Sequence, residues 1–128
     1  MLLLDTCALL WLVGDRGKLS ATAVGRIKTQ RGELFVSAIS AFEIGVKHRK
    51  GKLELPLEPG AWFEAALRFH GLRELPVTGS IAAASTALPL LHADPCDRLI
   101  VATALLHGMT VLTPDPLIAG YPGVQTVW

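Results

Sequence analysis

Leu2-Leu3-Leu4-Asp5-Thr6 opens the chain, and Leu34-Phe35-Val36 and Thr110-Val111-Leu112 repeat its short apolar run. Each run is too brief for a helix and apolar at consecutive positions rather than alternate ones. Strands of a parallel sheet covered on both faces read this way, because neither face meets solvent. Leu72–Val77 and Val124–Val127 supply two more candidates. Helical stretches lie between them. Thr6–Val13 is broken by Gly14-Asp15-Arg16-Gly17, and Ser20 caps a helix through Arg31 that Gly32 closes. Ser37 or Ser40 opens the next helix, with Ile39, Phe42 and Val46 on one face, ending at Lys50-Gly51. After a loop at Pro56 and Pro59 come Ala61–His70, Ser80–Leu88, and a helix from Asp94-Pro95 to His107 stopped by Gly108. Strands alternating with helices predict an α/β fold: a central, mostly parallel sheet of about five strands with helices on both faces. The 128 residues, without repeat or linker, predict one domain over 1–128.

Composition narrows the class. Apolar residues make up 51% and charged residues 18%, which excludes intrinsic disorder. The longest uncharged apolar stretch, Leu99–Thr113, is interrupted by His107 and Gly108. It falls short of the ~20 residues a membrane span needs. Met1–Val13 has no basic leading segment and carries Asp5, so it reads poorly as a signal peptide. Cys7 and Cys96 do not form a disulfide framework. These features predict a soluble, cytoplasmic protein with no membrane contact. Neither a dinucleotide fingerprint nor a P-loop is present, and the four histidines lack zinc-ligand spacing. Net charge is +1, divided as +5 over residues 1–52, −1 over residues 53–73 and −3 over residues 74–128. The basic cluster at Lys47, Arg49, Lys50 and Lys52 is either a solvated helix face or a phosphate-binding flank.

The carboxylates carry the chemistry. Asp5 follows the first strand, and Glu43 lies one to two turns into the helix after the second. Asp97 lies in the first turn of a later helix, and Asp115 follows the fourth strand. In an open parallel sheet the carboxyl ends of the strands share one edge, where ligands bind. Acids gathered there repel one another unless a cation intervenes, and Mg²⁺ or Mn²⁺ is the hard, oxygen-seeking choice. Helix capping competes with this reading. Asp94 before Pro95 has the form of an N-cap, Asp97 and Glu43 occupy capping-box positions, and Asp115-Pro116 is another cap.

The same residues resemble a known family. Leu3-Leu4-Asp5-Thr6 resembles the opening of PIN-domain ribonucleases. Val36 through Ile44, followed by Lys47-His48-Arg49-Lys50-Gly51-Lys52-Leu53, resembles their second block. His92-Ala93-Asp94-Pro95-Cys96-Asp97-Arg98-Leu99-Ile100 resembles the H-x-D-P-x-D-R-L-I block of VapC-type toxins, and Thr113-Pro114-Asp115 their fourth acidic motif. The resemblance spans essentially the whole chain. It implies Mg²⁺- or Mn²⁺-dependent cleavage of RNA that leaves a 5′-phosphate and a 3′-hydroxyl. A small antitoxin encoded beside the toxin, and a homodimer, are its implied partners. Asp5, Glu43, Asp97 and Asp115 are then the acidic quartet, with Asp94 accessory. Cys7 and Cys96 stand where many relatives carry His and Phe, and both read as packing residues.

Asp5 and Asp97 would ligate one ion directly; Glu43 and Asp115 would hold it through water or help bind a second. Thr6 and Thr113 either donate hydroxyls to bound water or phosphate or cap strand ends. Arg98 either orients Asp97, holds RNA phosphate or is a surface charge. Lys47 stands i, i+4 from Glu43 and suits an ion pair. Trp11, Trp62 and Trp128 read as packing. Two other functions fit the same strand–Asp opening: a catalytically inactive PIN-like RNA- or protein-binding module, and a haloacid-dehalogenase-like phosphatase. The second wants another acid two residues after the first, and Cys7 stands there.

Overall fold

A computed structural model describes residues 1–128. Five strands, β1 (Leu2–Leu4), β2 (Leu34–Ser37), β3 (Arg73–Leu75), β4 (Thr110–Leu112) and β5 (Gln125–Val127), form one sheet in the order β3-β2-β1-β4-β5. Every neighbouring pair is parallel, with Leu2 opposite both Leu34 and Thr110. Seven helices join them: α1 (Thr6–Gly14), α2 (Ala21–Thr29), α3 (Ala38–Arg49), α4 (Pro59–His70), α5 (Gly79–Thr86), α6 (Pro95–His107) and α7 (Pro116–Ala119). No helix is long and apolar enough to cross a membrane.

The pleat of β1 divides the core. Leu2 and Leu4 pack with Leu9 of α1, Ile27 of α2, Ile44 of α3 and Phe63 of α4. Leu3 points the other way, into Ile100, Val101 and Ala104 of α6, Ile118 of α7 and Tyr121. All three leucines are inaccessible to solvent, which is why β1 shows no polar alternation. Ser20 caps α2 by accepting from the Ala23 N–H, and Gly71 and Gly108 end α4 and α6 in the left-handed conformation.

Three expectations change. The α3 cap is Ser37, whose Oγ accepts from the Ile39 N–H. Ser40 is instead buried inside the helix, 2.9 Å from the Thr6 hydroxyl, so the Ser40–Glu43 capping box does not form. The buried face of α3 is accordingly Ser40 and Ile44, and Phe42 stands 62% exposed. Arg98 is neither a surface charge nor a phosphate ligand. It is 9% exposed, and its guanidinium donates to the carbonyls of Ser85, Leu88 and Pro89 at 2.8–3.0 Å. Carbonyls at the end of α5 and in the irregular segment after it need donors, and the five-donor fork of Arg supplies several at once. Arg98 thereby ties the segment between α5 and α6 to the α6 helix that carries it. Arg98→Lys keeps the charge and loses the fork. It should lower stability by ~2–4 kcal/mol, read by denaturant unfolding. An unchanged unfolding midpoint with weakened RNA binding would return Arg98 to the phosphate role.

Candidate functional site

The strand order reverses at β1, which has β2 on one side and β4 on the other, and the carboxylates collect above the carboxyl ends of these strands. Asp5 is 3% exposed. Its Oδ1 accepts from the Ala8 N–H at 2.7 Å and so caps α1; its Oδ2 accepts from the Thr113 hydroxyl at the end of β4. Thr113 Oγ1 in turn accepts from the Asp115 N–H at 3.0 Å. Asp115 Oδ1 caps α7 through the Leu117 N–H, which leaves Oδ2 facing the crevice. Asp94 caps α6 through the Cys96 N–H at 2.8 Å.

Capping therefore falls on Asp5, Asp94 and Asp115, and the two capping-box positions do not cap. Asp97, in the first turn of α6, turns Oδ2 to His92. Glu43 places Oε2 3.1 Å from Lys47 Nζ, while its Oε1 is buried with no hydrogen-bond partner. An unpartnered buried carboxylate oxygen is costly, and it is the kind of atom a cation would satisfy.

His92 had no role assigned from the sequence. Its Nε2 lies 2.9 Å from Asp97 Oδ2 and 3.0 Å from Asp115 Oδ2, and these three residues offer donor atoms within 4.8 Å of one another. The Asp94 N–H points at His92 Nδ1 from 3.2 Å, so Nδ1 bears the lone pair and the proton of the neutral ring sits on Nε2. The imidazole thus faces the two carboxylates as a donor, and oxygen atoms are what the crevice offers a cation. Its backbone is held by the Tyr121 hydroxyl, which accepts from the His92 N–H at 2.9 Å. The histidine escaped the sequence reading because its partners lie five and 23 positions away. Its place in the His92-Ala93-Asp94-Pro95 block was the available signal.

Thr6 and Thr113 both spend their hydroxyls inside the protein, on Ser40 and Asp5, so neither is free for phosphate. The tryptophans pack: Trp62 is buried, and Trp11 and Trp128 lie against each other at 5.6 Å. Burial pushes the Cys7 thiol up to about 12, with Asp5 adding to it. The same cause, with Glu43 next, pushes Cys96 up to about 11. Both thiols stay protonated and unreactive.

Crowding shows in the acids themselves. Burial, opposed by the Thr113 and Ala8 hydrogen bonds and reinforced by Asp115 and Glu43, pushes Asp5 up to about 6. Burial first, then the charges of Asp94 and Glu43, pushes Asp97 up to about 7, with His92 opposing. Asp5 and Glu43 lie outside the tight His92–Asp97–Asp115 triplet but act on it through this repulsion.

The PIN domain family matches residues 2–122. The chain is 35% identical to Ribonuclease VapC22 of Mycobacterium tuberculosis over 98% of this chain and 97% of that one. Its fold is similar to the VapBC2 complex of Rickettsia felis bound to a promoter DNA fragment. That match has a TM-score of 0.73 at 13% identity over 98% and 96% of the two chains. The DNA-bound VapBC of Salmonella typhimurium is similar at a TM-score of 0.71 and 17% identity, over 98% and 96%.

The raised acids set a pH dependence. A carboxyl whose folded value lies above its unfolded one stabilises the fold below the unfolded value, and that stability is lost as pH rises through the folded one. Metal-free protein should therefore lose stability between about pH 4 and pH 7, by up to ~1.4 kcal/mol per pH unit for each such carboxyl. Asp97→Asn should flatten the decline. Chemical denaturation across that range in chelator checks it; stability rising with pH would contradict it.

Proposed function

The chain belongs to the PIN-domain family as a homologue of VapC-type ribonuclease toxins. From that premise we propose that it hydrolyses RNA with Mg²⁺ or Mn²⁺ held by Asp5, Glu43, Asp97 and Asp115. The observation that supports this best is the convergence of these four acids at the switch point of the sheet, with Glu43 Oε1 buried and unpartnered. The four acids offer carboxylate oxygens, which suit a hard divalent cation. Mg²⁺ or Mn²⁺ bound there supplies neutralisation of phosphate charge and a lowered pKa for attacking water. Asp5 and Asp97 are the direct ligands in this reading, with Glu43 and Asp115 beside them and Asp94 holding the helix that carries Asp97.

The surrounding residues position these acids. Thr113 orients the Asp5 carboxylate, and His92 holds Asp97 and Asp115 through its Nε2–H. Lys47 fixes one Glu43 oxygen and leaves the other to the crevice. A phosphatase that uses Asp5 as nucleophile is disfavoured, since the second acid it needs would stand two residues on, where the chain has Cys7.

The partner reading rests on relatives. The VapBC complexes among its structural neighbours support a small antitoxin partner in the cytoplasm, and the homodimer rests on the resemblance to the family alone. Expression alone should slow growth, and co-expression with the adjacent small protein should restore it. Harmless expression of a catalytically competent chain would favour a housekeeping nuclease. Light scattering at micromolar concentration should give twice the monomer mass.

Metal removal and amide substitutions test the site. RNA should be cleaved with Mg²⁺ or Mn²⁺ and left intact in excess EDTA. Asp97→Asn and Glu43→Gln keep shape and lose charge, and neither residue caps a helix, so the fold should persist. Activity should fall by more than the ~10–100-fold typical of losing a residue outside the ligand set. Asp94→Asn retains a capping oxygen and should lose less activity than Asp97→Asn. Full activity in Asp97→Asn would end the site as drawn.

A further inference from the structure

Beside the acidic crevice runs a groove of about 380 Å³ between α3 and the start of α6. One wall carries Phe42, Val46 and Lys50 at helical spacing, with Lys47 next to them and Lys52 in the turn that follows α3. Asp94, Pro95 and Cys96 form the other wall. Phe42 and Glu43 both line the groove, so the ring stands beside one acid of the crevice. The ring is 62% exposed and packs in neither core cluster. Lys47 is paired with Glu43, whereas Lys50 and Lys52 make no ion pair.

An exposed phenyl ring with unpaired ammonium groups beside it matches the two chemical parts of a nucleotide. A base has a π-face that stacks on an aromatic ring whatever its identity, and the flanking phosphates take cations. An apolar protein segment would gain contact with Phe42 and Val46 but would leave the lysines uncompensated, so the charge favours a polyanion. We propose that this groove binds single-stranded RNA next to the cleaved bond, with one base stacked on Phe42 and the neighbouring phosphates on Lys50 and Lys52. The inference rests on the ribonuclease reading and adds to it the surface that positions the strand.

Binding of a labelled single-stranded oligoribonucleotide tests it, measured by fluorescence anisotropy on the Asp97→Asn variant in Mg²⁺ so that cleavage does not intervene. Adding Phe42→Ala should raise Kd about 5–100-fold, and Phe42→Trp should preserve tight binding. Lys50→Ala and Lys52→Ala should each flatten the slope of log Kd against log salt by ~0.7. Phe69 is 86% exposed beside Gly32 and Gly71, at the opposite edge of the sheet, and Phe69→Ala should change nothing. An abasic oligonucleotide should bind Asp97→Asn weakly and be indifferent to Phe42→Ala. Unchanged RNA affinity in Phe42→Ala, on a parent that binds RNA, overturns the groove and leaves the ribonuclease reading standing. Lost antitoxin binding with intact RNA binding overturns it in favour of a protein-docking face. Failure of the wild-type chain to cleave RNA with either metal overturns both.

Discussion

A carboxylate placed at the end of a wholly apolar strand has lost its water and must find partners in the protein. Asp5 meets this constraint by serving three elements at once. It ends β1, caps α1 through Ala8, and receives the hydroxyl of Thr113 from β4. Sheet, helix and crevice are fixed relative to one another by this one side chain. The hydrogen bonds oppose the burial penalty only in part, and the nearby Asp115 and Glu43 charges add to it. The fold therefore places an acid where a negative charge is poorly tolerated, and a cation would relieve that condition. Folding and ligand binding draw on the same electrostatic imbalance.

The segment between α5 and α6 frames the other side. Arg98 gathers its carbonyls, and Tyr121 accepts from the backbone of His92. The imidazole is thereby presented to Asp97 and Asp115 with its tautomer set by the Asp94 N–H. Arg98 and Tyr121 thus hold the segment that presents His92 to the acids. Positioning of this kind is what keeps a constellation of flexible carboxylates in one geometry.

The sheet and helices were readable because each local signal agreed with the global arrangement: the triple-leucine strand, Ser20, Asp94-Pro95, Gly71 and Gly108 all behave as their chemistry suggests. The acidic edge was readable for the same reason, since a parallel sheet gathers the ends of its strands. What failed were judgements that depend on a distant partner. Phe42 matched the apolar spacing of a buried face, but the short hydroxyl of Ser40 found Thr6 and rotated α3 the other way. Arg98 reads as orienting Asp97, holding phosphate or facing solvent, and none of these names its actual partners, because backbone carbonyls leave no mark in a sequence. His92 lacked nearby ligands because its two carboxylates approach it from different elements. For Asp97 and Glu43 the capping-box spacing competed with the site reading, and the structure turns both away from the helix ends.

The central claim is that the crevice holds protons in place of a cation and exchanges one for the other. Calorimetric titration of Mn²⁺ into the protein at pH 6 and pH 8, in buffers of different ionisation enthalpy, measures that exchange directly. With Asp97 raised to about 7 and Asp5 to about 6, binding at pH 6 should release ~1 proton or more. The release should fall sharply by pH 8, and Asp97→Asn should lower it at pH 6. Mn²⁺ binding with no proton release at pH 6, or no binding at all, would contradict the account.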